Sequence, residues 1–191
     1  MNKIVVYEHI NFQGRSKEFT SAVPDLINEG FNDIISSVKV FGKPWLAFHD
    51  NNFKGEEYVF AEGEYGHVPV NDVISSLKIV NDDLSDPKIT LYELPNYQGR
   101  SIVLNAETCL SDVDFNDTAS SHRVQRGIWV LYEHTNREGA QMVAKAGQDV
   151  PQYTKLNKQV SHVRPVTPGR VEEYEKSESA QVQHFYVLTV G

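Results

Sequence analysis

Three six-residue elements gather hard oxygen donors: Asn32-Asp33-Ile34-Ile35-Ser36-Ser37, Asn71-Asp72-Val73-Ile74-Ser75-Ser76 and Asn116-Asp117-Thr118-Ala119-Ser120-Ser121. Each packs a carboxylate, an amide and hydroxyls into one turn-length stretch. These are the ligands of a hard cation: Ca²⁺ takes six to eight oxygens at about 2.3–2.6 Å and accepts carboxylates, carbonyls, hydroxyls and water together. The same residue types also cap turns by bonding to nearby backbone, so a single copy would be ambiguous. A worn fourth copy reads as Leu156-Asn157-Lys158-Gln159-Val160-Ser161. The aspartates, and then Asn157, step by 39, 45 and 40 residues.

Other chemistries find no support. There is no Gly-x-Ser-x-Gly, no phosphate-cradling glycine loop, no His-Glu-x-x-His and no Cys-x-x-Cys. The seven histidines are scattered, and Cys109 reads as an idle thiol rather than a nucleophile. Asn116-Asp117-Thr118 is formally a glycosylation sequon, but it lies inside one of the oxygen-rich elements. The chain is not expected to be an enzyme.

The elements that must hold these donors still are short strands. Four hairpin frames precede the polar elements: Tyr7 to Gly14, Phe48 to Gly55, Tyr92 to Gly99 and Tyr132 to Gly139, the glycines stepping by 41, 44 and 40 residues. Two landmarks on one period establish a fourfold repeat. The runs Ile4–Tyr7, Trp45–Phe48, Ile89–Tyr92 and Trp129–Tyr132 are β-branched and aromatic. Further strands follow the polar elements at Val38–Phe41, Leu77–Val80 and His122–Val124. Helix is confined to short pieces such as Pro24–Asn28. Many short strands with glycine-bearing turns indicate an all-β sandwich. Residues 81–88 are acidic and proline-broken, and the repeat lengthens across them. The expected division is a first domain over 1–84, a second over 85–166, and a linker plus the start of a further strand or domain over 167–191.

Composition sets the bounds. Eighteen basic against 26 acidic side chains leave a net charge of −8 over 191 residues, with no basic surplus to neutralise phosphates, so nucleic acid is not an expected partner. A lone cysteine makes no internal disulfide. No apolar run is long enough to span a membrane as a helix. Met1–Glu8 meets its first acid too early for a signal peptide, so a cytoplasmic location, or export without a classical signal, is expected.

An aromatic, four residues, a second aromatic, one residue and glycine, followed by Asn/Asp-Asn/Asp-x-x-Ser/Thr-Ser, resembles the Greek-key motif of the calcium-binding βγ-crystallins over residues 3–166. The resemblance implies two domains, each a β-sandwich of two Greek keys, with each calcium site shared between the two motifs of a domain. In that family one motif gives a hairpin carbonyl, the carbonyl after its Asp and the first serine hydroxyl, while the other gives its Asp carboxylate. By position, one site would use Glu8, Ile34 and Ser36 with Asp72, and its mate His49, Val73 and Ser75 with Asp33. In the second domain, Glu93, Thr118 and Ser120 would be joined by Asn157, a neutral donor. The last site would need Glu133, Lys158 and Asp117 but has Val160 at the hydroxyl position. Two complete sites, one weakened and one lost are therefore expected.

After Val166 the pattern breaks into a turn, a glutamate-rich stretch and a strand-like Gln181–Val190. The four-motif arrangement with a degenerate last copy is similar to non-lens proteins of the amphibian epidermis differentiation-specific type, which join a βγ-crystallin pair to an aerolysin-like pore-forming region. That resemblance implies a calcium-sensing or targeting module. A partner subunit or a membrane would be met through a region beyond Gly191.

Overall fold

The computed structural model describes residues 1–69 and 72–168; the strand expected over Gln181–Val190 and the whole 169–191 segment lie outside the described residues. The chain divides into two units, one beginning at Met1 and running to Asn81, the other spanning Asp82–Thr167. Among the described residues the only helices are short 3-10 turns, and none is long and apolar enough to cross a membrane.

The first unit carries β1 (Lys3–His9), β2 (Gln13–Phe19), β3 (Ser37–Phe41), β4 (Trp45–Asp50), β5 (Lys54–Phe60), β6 (Gly63–Tyr65) and β7 (Ser76–Ile79). They form two antiparallel sheets, ordered β2-β1-β3-β6 and β5-β4-β7. The order shows an exchange. Strand β6, from the second motif, pairs with β3 of the first, while Val23 of the first motif bridges to Leu77 in β7. This crossing defines two interlocked Greek keys. Alternation decides which faces meet: Ile4 and Val6 in β1 and Val38 and Val40 in β3 are buried, with Lys39 between the latter pair turned outward. They close on Leu26, Trp45, Phe60 and Leu77, each at or below 2% exposure. A fully buried side chain of this size contributes about 1.5–3 kcal/mol, which a unit of this size needs.

The second unit repeats the plan with β8 (Lys88–Leu94), β9 (Gln98–Leu104), β10 (Thr108–Cys109), β11 (Ser121–Arg126), β12 (Ile128–His134), β13 (Glu138–Lys145) and β14 (His162–Pro165). The sheets are ordered β11-β8-β9 and β10-β14-β12-β13, with Val150 bridging to His122. Its own core gathers Ile89, Leu91, Leu110, Trp129, Leu131 and Val163. The expected short helix near residue 26 is a 3-10 turn at Leu26–Glu29, capped by the Asp25 carboxylate accepting from the Ile27 N–H at 2.9 Å.

Every hairpin folds over in the same strained way. Asn11 and Phe12 both take positive φ, 55° and 63°, before Gly14 at 80°. Asn52–Phe53, Asn96–Tyr97 and Asn136–Arg137 repeat the pair. Left-handed backbone is costly for a bulky residue, so something must hold it. In the first three copies the second serine does so. Ser37 Oγ donates to the His9 carbonyl at 2.6 Å and accepts the Phe12 N–H at 3.0 Å. Ser76 and Ser121 do the same for Asp50 with Phe53 and for Leu94 with Tyr97. Edge-to-face aromatic pairs, such as Tyr7 on Phe12 at 5.5 Å between centroids, close the fold. A side chain at Gly14 would be strained: its φ is 80°, and a Cβ would lie 2.6 Å from His9 Cδ2 and 3.2 Å from Glu8 Cβ.

Candidate metal centres

The polar loops enter each sheet through one shared backbone pattern. The first serine donates its N–H to the carbonyl of the first hairpin aromatic: Ser36 to Tyr7 and Ser75 to Phe48 at 2.9 Å, and Ser120 to Tyr92 at 2.8 Å. Three residues earlier the aspartate sits at positive φ (Asp33 54°, Asp72 58°, Asp117 52°), a conformation that Asp tolerates better than most residues. Its N–H reaches across to the partner motif: Asp33 to the Ile74 carbonyl at 3.1 Å and Asp72 to that of Ile35 at 3.4 Å. Each carboxylate is thereby carried into the other motif's loop.

In the first unit an open cleft of about 410 Å³ is lined by Glu8, Ile34, Ser36 and Asp72, the four residues assigned to one site, together with Asp33. The buried Ser36 hydroxyl faces Asp72 Oδ1 at 3.4 Å. Two oxygens each about 2.4 Å from one ion and at right angles around it would lie about 3.4 Å apart, so the spacing suits Ca²⁺. The carbonyls of Glu8 and Ile34 would complete the protein's share, with water filling the remaining positions. The Glu8 side chain is engaged elsewhere. Its carboxylate accepts from Arg15 at 3.0 Å, and that guanidinium holds its pKa below the usual carboxylate value.

The mate site is assembled in part. Ser75 Oγ lies 3.2 Å from Asp33 Oδ1. Ser75 also lines a second open cleft of about 360 Å³ with Asn32, Asp50 and Asn51, which His49 and Val73 do not line. The exposed His49 ring bonds to Asp50 at 2.7 Å, a contact that raises its pKa.

The second unit corrects the expected register by one residue. Ser161, not Val160, donates its N–H to the Tyr132 carbonyl at 2.9 Å, and Lys158, not Asn157, sits at positive φ (56°) with its N–H on the Ala119 carbonyl at 2.9 Å. Asn157 is therefore not the crossing ligand. That place belongs to Lys158. The last site is not missing its hydroxyl either: Ser161 Oγ stands 3.2 Å from Asp117 Oδ1, matching the spacing in the first unit. Its carbonyls would come from Glu133 and Gln159, the latter in place of Lys158. Glu93 and Thr118 do come together, around a different cation, while the buried Ser120 hydroxyl finds no hydrogen-bond partner among the described residues. The Lys158 ammonium donates to the Glu93 carbonyl at 2.5 Å and to that of Thr118 at 3.2 Å. Those two carbonyls are the counterparts of Glu8 and Ile34, and they converge on a positive charge.

One sequence signal would have set the register correctly. A basic residue follows the first serine by three positions in every copy: Lys39, Lys78, Arg123 and Arg164. The first three stand over the second hairpin aromatic, as Lys39 does over Phe12 at 4.5 Å. In the last copy, where Arg137 replaces that aromatic, Arg164 instead donates to the Tyr132 hydroxyl at 2.9 Å. Arg137 is taken by Glu107 through contacts of 2.7 and 2.8 Å. His162, standing where the other copies have the second serine, bonds to the same carboxylate at 2.8 Å. The Arg137 guanidinium and then His162 hold Glu107 down at about 2. Among the described residues, no three His, Cys, Asp or Glu side chains converge on a metal position, so any ion here would depend on carbonyls and hydroxyls.

The Beta/Gamma crystallin family model matches residues 3–80 and 88–166. The "Epidermal differentiation-specific protein" of Cynops pyrrhogaster is 48% identical over 172 residues, covering 89% of this chain but 51% of that protein. The chain thus spans about half the length of that relative. Human "Beta-crystallin B2" is 33% identical over 174 residues, covering 86% of this chain and 84% of that one. A solution structure of protein S complexed with calcium is 21% identical with a TM-score of 0.39, covering 86% of this chain and 99% of that one.

Proposed function

We propose that this chain, which belongs to the βγ-crystallin family, is a non-enzymatic calcium-binding module that stabilises or targets a larger protein. One observation carries the reading: Glu8, Ile34, Ser36 and Asp72 line a single cleft, with the Ser36 hydroxyl and the Asp72 carboxylate at a spacing a shared Ca²⁺ ion would impose. Repetition of that spacing at Ser75–Asp33 and Ser161–Asp117 supports three such sites. With one carboxylate per site, affinity falls in the micromolar-to-submillimolar part of the calcium range. When bound, the ion cross-links two motifs; the residues fix which loops it joins. Each site adds about 2.7 kcal/mol to stability at a free concentration 100 times its Kd. Isothermal titration is expected to give three calcium ions per chain, with Asp33→Ala and Asp72→Ala each weakening the first domain's share. No heat and no thermal shift would overturn the reading.

The larger protein is, in this reading, of the pore-forming kind. Liposome leakage by a longer product, lost when only residues 1–166 remain, is the expected behaviour. A second reading, a purely structural crystallin-type module with vestigial calcium motifs, draws on the second serines: Ser37, Ser76 and Ser121 brace their hairpins through direct hydrogen bonds to the backbone. It predicts equal stability in calcium and in chelator.

A further inference from the structure

We propose that Lys158 is the resident cation of the third loop-crossing site, a tethered ammonium that closes this site to calcium and leaves the second domain less dependent on the ion than the first. The proposal uses the calcium reading only for the contrast between sites. The brace itself rests on contacts of this chain alone.

Three observations carry it. The ammonium donates to the carbonyls of Glu93 and Thr118, the pair equivalent to the calcium-facing carbonyls of Glu8 and Ile34. The backbone of Lys158 occupies the aspartate's place, with the same positive φ and the same crossing N–H bond, here to Ala119. Finally, the Ser120 hydroxyl, 1% exposed, has no hydrogen-bond partner among the described residues. In the other three sites that hydroxyl faces a crossing carboxylate; here the lysine brings none. A buried unpaired hydroxyl is costly, and it marks the carboxylate this site lacks.

The chemistry then excludes calcium. An incoming ion would have to displace a covalently tethered cation whose effective concentration is high, and would find no negative charge in its place. The Asp117 carboxylate serves the opposite site, beside Ser161. The lysine links Glu93 and Thr118 of the third motif to the fourth whether or not calcium is present, whereas an ion links loops only when present. Chelation would therefore strip the first domain of both cross-links and the second of one.

Each domain has its own buried tryptophan, Trp45 in the first and Trp129 in the second, so single-tryptophan variants of the full chain report the domains separately. In the Trp45→Phe background and in chelator, Lys158→Met is expected to lower the Trp129 transition by roughly 4–8 °C. Lys158→Asp, which returns a carboxylate to Ser120, is expected to raise calcium stoichiometry from three to four. An unchanged Trp129 transition in Lys158→Met would overturn the brace. Four ions bound by the parent chain, or three by the parent and no additional one by Lys158→Asp, would overturn the closure. If neither parent nor Lys158→Asp binds calcium while Lys158→Met still destabilises, the brace stands and the calcium reading alone fails.

Discussion

Replacing Asp72 with Asn isolates the electrostatic part of the first site. The amide keeps an oxygen for the Ser36 hydroxyl, 3.4 Å away, and Asp72 is exposed, so the ion-free fold should lose under about 1 kcal/mol. What disappears is one negative charge about 2.4 Å from a divalent ion. Even in water's dielectric that attraction is about 3.5 kcal/mol, more than 100-fold in affinity. At a calcium level 100 times the parent Kd, the site's contribution falls from about 2.7 kcal/mol to a few tenths. For a domain of this size a loss of about 2.5 kcal/mol lowers the melting temperature by roughly 10–20 °C. Calorimetric or Trp45-reported melts with calcium and with chelator give the measurement. The expected result is a large deficit in calcium, a small one in chelator, and an unchanged second domain. A calcium-dependent shift equal to that of the parent would refute the assignment of Asp72, and an equal deficit in both conditions would make the residue merely structural.

Three further outcomes follow from the same geometry. Ser37→Ala leaves the His9 carbonyl and the Phe12 N–H without their partner, costing about 2 kcal/mol; first-domain melts should fall equally with calcium and with chelator, which separates a brace from a ligand. Glu107, held at about 2 by Arg137 and His162, is depressed below its unfolded value near 4.5, so its stabilisation is present above that pH and is lost as pH falls toward 2. Discounted for solvent exposure this amounts to about 1 kcal/mol, and Glu107→Gln should flatten acid melts of the second domain over that window. Burial holds His122 at about 4 against an ordinary value near 6.5, so the unfolded chain takes up the proton first and stability declines as pH drops from about 6.5 to 4. Urea titrations followed by Trp129 should show a decline on the order of 2–3 kcal/mol, absent in His122→Gln.

The repeat made most of the architecture legible. Aromatic-to-glycine hairpins on a 40-residue period dictate where strands turn, and alternation within Ile4–Tyr7 or Val38–Phe41 dictates which face is buried. Three in-phase Asn-Asp-x-x-Ser-Ser elements were enough to bring Glu8, Ile34, Ser36 and Asp72 to one cleft. The fourth copy departs from the expected register because its landmarks are eroded at once: Lys158 stands at the aspartate position and His162 at that of the second serine. With only Ser161 left, two registers fit the spacing, and the wrong one placed Asn157 across the site. What separates them in the sequence is the basic residue three positions after the first serine, Arg164 in this copy; in the fold it is the Ser161 N–H bonded to the Tyr132 carbonyl. Lys158 was equally opaque, because an ammonium reads as repulsive beside a calcium loop until its bonds to two carbonyls are seen.

The exchange of strands between motifs bears on how fast this protein comes apart rather than on how stable it is. Asp33 meets Ile74 and Asp72 meets Ile35, and each candidate site takes oxygens from both sides of that crossing. Closing a loop of about 40 residues costs about 3.3 kcal/mol in chain entropy beyond a constant, before any crossing contact forms. An ion that needs both loops in place has nothing to grip while that closure is under way. Its binding energy is gained late, after the slow step of a non-local β topology. Calcium bound at the proposed sites would then act on the unfolding rate and leave the folding rate nearly untouched. The lysine-braced third site obeys the same order of events but carries its cation on the chain, so its hold on the opening rate persists when calcium is withdrawn.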